Sequence, residues 1–194
     1  MKKFRVAIGV FIMVALVVGY WMYLSNRDTA TPAEQQTEVS DIGKLAARNL
    51  DTDYPNTPRK VVDFYSQITK SLYSEELSEQ ELQKLCEQSM KLFDAELLNA
   101  NPEETFLDNT KAAIEEYRKI ERIVTDYTLE ASSDVDYYTE GGQEYAALSV
   151  KYFLRDKDGY GKTYEDFLLR KDEDGRWKIV GWQMTPASEK DSDE

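Results

Sequence analysis

The sequence predicts an α+β chain: three helices packed on one face of a curved antiparallel sheet, preceded by a membrane-spanning helix. Three observations carry this. Residues 6–24, VAIGVFIMVALVVGYWMYL, hold no formal charge. From Thr57 to Glu121 apolar residues recur at the spacing of a helix face. From Ile123 onward the period shortens to two, and turn residues separate the apolar runs.

The nineteen uncharged residues would reach roughly 28 Å as a helix at about 1.5 Å per residue, close to one hydrocarbon thickness. Lys2, Lys3 and Arg5 precede them, whereas Arg27 and Asp28 nearly cancel behind them. That bias predicts a cytoplasmic tail at 1–5, a single-pass helix at 6–24 in the cell membrane, and an extracytoplasmic remainder. Tyr20, Trp21 and Tyr23 fall near the outer headgroup level. The alternatives are a cleaved signal peptide, which is normally shorter and ends at a small-x-small site, and a buried core helix. Residues 25–56 read as a linker. Within it Ile42, Leu45, Ala46 and Leu50 permit a short helix that needs a docking partner to persist.

Thr57-Pro58 supplies a hydroxyl N-cap and a proline at the first helical position. Val61, Val62, Phe64, Tyr65, Ile68 and Leu72 then mark the buried stripe of a helix ending near Tyr73. Ser78 and Glu81 form a capping box that opens a second helix, with Leu82, Leu85, Cys86, Met90, Phe93 and Leu97 inward. Asn101-Pro102 opens a third, burying Phe106, Leu107, Ala113, Ile114 and Tyr117.

Ile123 to about Tyr137 reads as strand, interrupted near Ser132–Asp134. Glu140-Gly-Gly-Gln143 is a turn, and Ala146, Leu148, Val150, Tyr152 and Leu154 alternate on one face of the next strand. Asp156–Gly161 and Asp172–Gly175 are hairpin loops flanking a strand with Phe167 and Leu169 inward. In the last strand Trp177, Ile179 and Gly181 share one face, and Lys178, Val180 and Trp182 the other. The folded domain is expected over 57–184, with a disordered acidic tail at 185–194.

Composition narrows the chemistry. The net charge is −13, and residues 28–194 carry 20 basic against 37 acidic side chains, so nucleic acid is not an expected partner. The absence of histidine removes histidine triads and histidine metal sites. Cys86, the single cysteine, lies on an apolar helix stripe and reads as core. The Asp156–Gly161 loop fails as an EF-hand, because Tyr160 and Phe167 fall where oxygen ligands belong. No cofactor motif, metal set or catalytic set is found. Thirteen tyrosines are the most unusual feature of the composition. Rings with polar tips suit a ligand cleft or an interface, so Tyr65, Tyr117, Tyr145, Tyr152, Tyr164 and Trp182 are the candidate ligand or interface residues, with core packing as the plain alternative.

The block YAALSVKYFL, a turn, then KTYEDFLLRKDEDGRWKIVGWQM resembles the nuclear-transport-factor-two-like (cystatin-like, SnoaL-like) superfamily. The resemblance implies a cone-shaped sheet under helices, and the whole arrangement is similar to membrane-anchored proteins of Firmicutes and other bacteria. Enzymes of that superfamily place an Asp or His in the cone as acid or base. Here Asp126, Asp136 and Asp166 are the strand carboxylates to consider, and Asp166 alternates onto the solvent face. The expected role is a membrane-tethered extracytoplasmic scaffold with a protein partner in the cell envelope; an exposed sheet edge leaves room for a homodimer. The alternative is a small-molecule or peptide-binding module with an aromatic-lined cone. An isomerase- or dehydratase-like enzyme ranks below both, because it requires a buried carboxyl facing that cone.

Overall fold

Thr57 opens the first long helix as its sequence requires: the hydroxyl accepts the Lys60 amide at 3.2 Å, and Pro58 occupies the first turn. The computed structural model describes residues 41–186. Five helices cross them, α1 (Asp41–Ala47), α2 (Pro58–Ser74), α3 (Glu79–Met90), α4 (Ala95–Ala100) and α5 (Glu103–Lys119). Five strands follow, β1 (Ile123–Leu129), β2 (Asp136–Glu140), β3 (Gln143–Asp156), β4 (Gly159–Lys171) and β5 (Trp177–Pro186).

All pairings in the sheet are antiparallel. β4 lies between β3 and β5, while β1 and β2 share the other edge of β3, end to end. The β2–β3 turn is Gly141-Gly142, with φ of 59° and 83°, a pair of left-handed positions that glycine adopts without strain. The main core forms where α2 lays Val61, Val62 and Ile68 against the face carrying Leu148, Val150, Phe167, Leu169 and Ile179.

The three expected helices are present as α2, α3 and α5, and two more complete the layer. The short α1 persists because it docks: Ile42 is buried, and the Gln88 side-chain amide of α3 donates to the carbonyls of Ala46 and Arg48 at 3.0 and 2.9 Å. Phe93 and Leu97 do not continue α3. The chain breaks after Met90, Phe93 bridges to Ile179 of β5, and Asp94 caps a new helix by accepting the Glu96 amide at 3.0 Å.

The fold-class expectation is therefore corrected. Five helices pack against an open five-stranded sheet, with β1 and β5 at its margins and no closure into a cone. The membrane expectation is corrected as well. No described helix is long and apolar enough to cross a membrane. The stretch expected to do so, 6–24, lies outside the described residues, as do the expected cytoplasmic tail at 1–5 and residues 187–194 of the expected acidic tail. The single-pass topology, the extracytoplasmic location and the bilayer as partner lose their support. The cell-envelope partner loses with them the placement on which it rested; the homodimer, which rested on an exposed sheet edge, is neither supported nor opposed by the fold.

A second correction concerns β5. Leu168 pairs with Gly181 but Leu169 pairs with Ile179, so Val180 is a bulged, extra residue. The bulge reverses the alternation beyond it. Trp182, expected on the outer face, turns onto the inner one opposite Phe167, with ring centroids 5.9 Å apart.

Candidate functional site

The inner face of the sheet between β3 and β5 sets a carboxyl, that of Glu165, among aromatic side chains. Glu165 has the same parity as Phe167 and Leu169, and it pairs with Val150 on β3 and Met184 on β5. It therefore points beneath the helices. Its carboxyl oxygen Oε2 is shielded from solvent and has no hydrogen-bond partner among the described residues. Burial pushes the carboxyl up to about 7, with the neighbouring Tyr152 hydroxyl pulling the other way.

Four tyrosines surround this carboxyl. Tyr65 and Tyr73 come from α2, Tyr117 from α5 and Tyr152 from β3. Burial is the main cause holding all four phenols above their ordinary value, and the Glu165 charge adds to the shift of each. Tyr73 reaches about 12. Tyr73 and Tyr117 lie ring to ring with centroids 4.5 Å apart, and the Tyr152 hydroxyl is hydrogen-bonded to Ser66 at 2.9 Å. Behind them Tyr65 meets Phe167 at 5.5 Å and Trp182 at 5.3 Å, and Phe93 joins Trp182 at 5.8 Å.

The cluster opens towards the β3–β4 hairpin. A pocket of about 370 Å³ is lined there by Tyr117, Leu154, Thr163 and Met184, with Arg122 and Asp156 at its rim. Tyr117 and Met184 belong to both regions, because each lines the pocket and each neighbours Glu165. Met184 is an unbranched side chain that changes rotamer at low cost. Arg122 reaches the Asp156 carboxylate at 2.8 and 3.1 Å and holds it below the usual carboxylate range. That pairing occupies the carboxylate of the hairpin loop that looked calcium-like in sequence. No group of three or more acidic or cysteine side chains suited to a metal occurs among the described residues.

A larger groove of about 1200 Å³ runs between α1, α2 and β1. Its charged walls are already matched, as in Lys70–Asp126 at 3.4 Å and the Tyr127 hydroxyl on Asp63 at 2.9 Å. It has no shielded, unpartnered polar atom, so the inner cluster is the better candidate.

Of the six residues proposed from sequence, Tyr65, Tyr117, Tyr152 and Trp182 converge on the inner face around or behind Glu165. Tyr145 and Tyr164 do not. Tyr145 faces the other way and stacks on Tyr138 at 5.3 Å, and Tyr164 is buried on that outer face between the amines of Lys151 and Lys162. Asp166 lies on the outer face too, where it accepts hydrogen bonds from Ser149 and from Thr185. Asp126 pairs with Lys70, and Asp136 is exposed on β2. Cys86 is buried, and burial pushes its thiol up to about 11. Glu165 itself escaped the sequence reading. Its signal was the alternation with Phe167 and Leu169, which placed a carboxylate inward against the usual expectation that charges face water.

The chain belongs to a family known as a domain of unknown function, DUF6715, which matches residues 1–182. That membership replaces the resemblance to the nuclear-transport-factor-two-like superfamily. No curated protein matches the chain. Among solved structures, a protein of Catenulispora acidiphila is similar at 11% identity over 69% of this chain and 94% of its own, with a TM-score of 0.41. A Catenulispora acidiphila structure in complex with S-DNPA is similar at 10% identity over 70% and 97%, TM-score 0.38. A de novo designed β-sheet protein is similar at 14% over 78% and 92%, TM-score 0.28. At these scores none of the three bears on the fold or the function of this chain.

Proposed function

We propose that this DUF6715 chain binds a small, largely apolar molecule in the cleft between α2, α5 and the inner face of the sheet. The observation that supports it is the continuity of the tyrosine cluster with the pocket beside the β3–β4 hairpin through Tyr117 and Met184. A concave site that is mostly apolar, with a few placed polar groups, is the common architecture of ligand pockets, and about 370 Å³ falls in their usual size range. The tethered-scaffold role required the bilayer helix and is set aside with it.

Binding, not turnover, is the role proposed. Glu165 is the carboxyl among the tyrosines, and those tyrosines are held above their ordinary value, away from the range of an acid–base partner for it at neutral pH. The test is a titration of the full chain with 2-phenylethanol and with indole, followed by two-dimensional NMR. Chemical-shift changes should concentrate at Tyr117, Leu154, Thr163, Glu165 and Met184. Shifts scattered over the surface, or none at millimolar probe, would refute the reading.

A further inference from the structure

We infer that the ligand of this cleft carries a protonated amine, and that Glu165 is the group that receives it. The inference rests on the cleft being a binding site, as proposed above. It starts from a mismatch. Glu165 Oε2 is shielded from solvent and lacks any partner among the described residues, although buried polar atoms are nearly always paired. Among the described residues no lysine or arginine faces this carboxyl. The described side chains close enough to feel its charge all bear hydroxyls: Tyr65, Tyr73, Tyr117 and Tyr152. The protein thus surrounds an acidic group with neutral aromatic rings and leaves one of its acceptors unused.

The chemistry that completes such a site is cationic. An ammonium donates to the unused oxygen, supplies the counter-charge that burial withholds, and lies favourably against the faces of tyrosine rings. A neutral hydroxyl offers only the donor, and an anion would meet the carboxyl head on. The rest of the chain favours the same choice, since a net charge of −13 draws cations towards it. The route is short. Met184 lies directly across the β4–β5 pair from Glu165 and also lines the pocket, so a rotamer change there joins the two. The apolar body of the ligand would then rest against Leu154, Tyr117 and Met184.

The probes are 2-phenylethylamine and 2-phenylethanol, which share a skeleton and differ in the charged head. Both are titrated at pH 8 into the full chain as wild type, as Glu165→Gln and as Glu165→Met, with affinities read from the NMR shifts at Tyr117 and Met184. Glu165→Met keeps the bulk and needs no hydrogen bond, so it reports even where the buried amide of the glutamine variant disturbs folding. The expected result is that the wild type binds the amine roughly tenfold more tightly than the alcohol, and that both variants lose the preference. Equal binding of the two probes at the cleft overturns the amine assignment and leaves the binding reading standing. A preference that survives in the variants also overturns it, assigning the effect to the overall negative field. Failure of both probes to perturb the cleft overturns the binding reading, and the amine assignment with it.

Discussion

Glu165→Gln should gain stability relative to the wild type as pH rises, and the size of the effect follows from the burial of that carboxyl. Its ordinary value of 4.5 is raised to about 7 in the folded chain. The folded state therefore holds the proton to higher pH than the unfolded state does. The carboxyl costs nothing below pH 4.5, and the cost grows as pH rises through the interval and levels off above 7. Each pH unit of separation corresponds to about 1.4 kcal/mol, so the full cost is about 3 kcal/mol, most of which accrues between pH 5 and pH 8. Glutamine keeps the shape and cannot ionise. Urea unfolding of both full-length proteins at several pH values over this range isolates the contribution, because the repulsion among the other acidic groups is common to the two and cancels in the difference. The stability gap should shift by roughly 2 to 3 kcal/mol in favour of the variant between pH 5 and pH 8. Curves that run parallel from pH 5 to pH 8 would mean that Glu165 ionises freely, and the reasoning that makes it a buried, unmatched acceptor would fail.

Three further outcomes are expected. Asp94→Ala removes at once the cap of α4 and the carboxylate that receives Arg170 at 2.6 Å, so it should cost about 3 kcal/mol in urea unfolding; a loss below about 1 kcal/mol would show the pair to be marginal. The Cys86 thiol should fail to react with Ellman's reagent at pH 8 in the folded protein and react fully in urea, whereas rapid labelling of the native chain would contradict its burial. Ser78→Ala breaks a capping box by removing the hydroxyl that accepts the Glu81 amide at 3.3 Å; about 1 kcal/mol should be lost, and none if α3 frays at that end.

Local rules recovered much of the architecture. Thr57-Pro58 and the Ser78–Glu81 box mark helix starts because a cap is satisfied within a few residues of its own position. The glycine turns set the hairpins for the same reason. Register was less accessible. Nothing in W-K-I-V-G-W announces that Val180 is extra, since a bulge is decided by what the neighbouring strand offers, and Trp182 was assigned to the wrong face as a result. The break between α3 and α4 is likewise tertiary: Phe93 and Leu97 keep helical spacing, but the backbone around Phe93 bonds to β5 instead. Glu165 was legible and missed, because strand parity with Phe167 outweighs the preference of a carboxylate for water. Residues 6–24 drew the strongest sequence expectation and lie outside the described residues.

The joint between α3 and α4 has one more effect. The Ile179 amide donates to the Leu92 carbonyl and the Asp94 amide to the Ile179 carbonyl, both at 2.8 Å. Three residues of irregular backbone thus imitate a neighbouring strand along the start of β5. An outermost strand with unsatisfied amides is a template for chain-to-chain stacking, and proteins that keep such margins open are prone to aggregate. Here the vulnerable flank is blunted near Ile179 by a piece of the helical layer. Substitutions that detach Phe93 from that place should be felt first as lost solubility, before any loss of secondary structure.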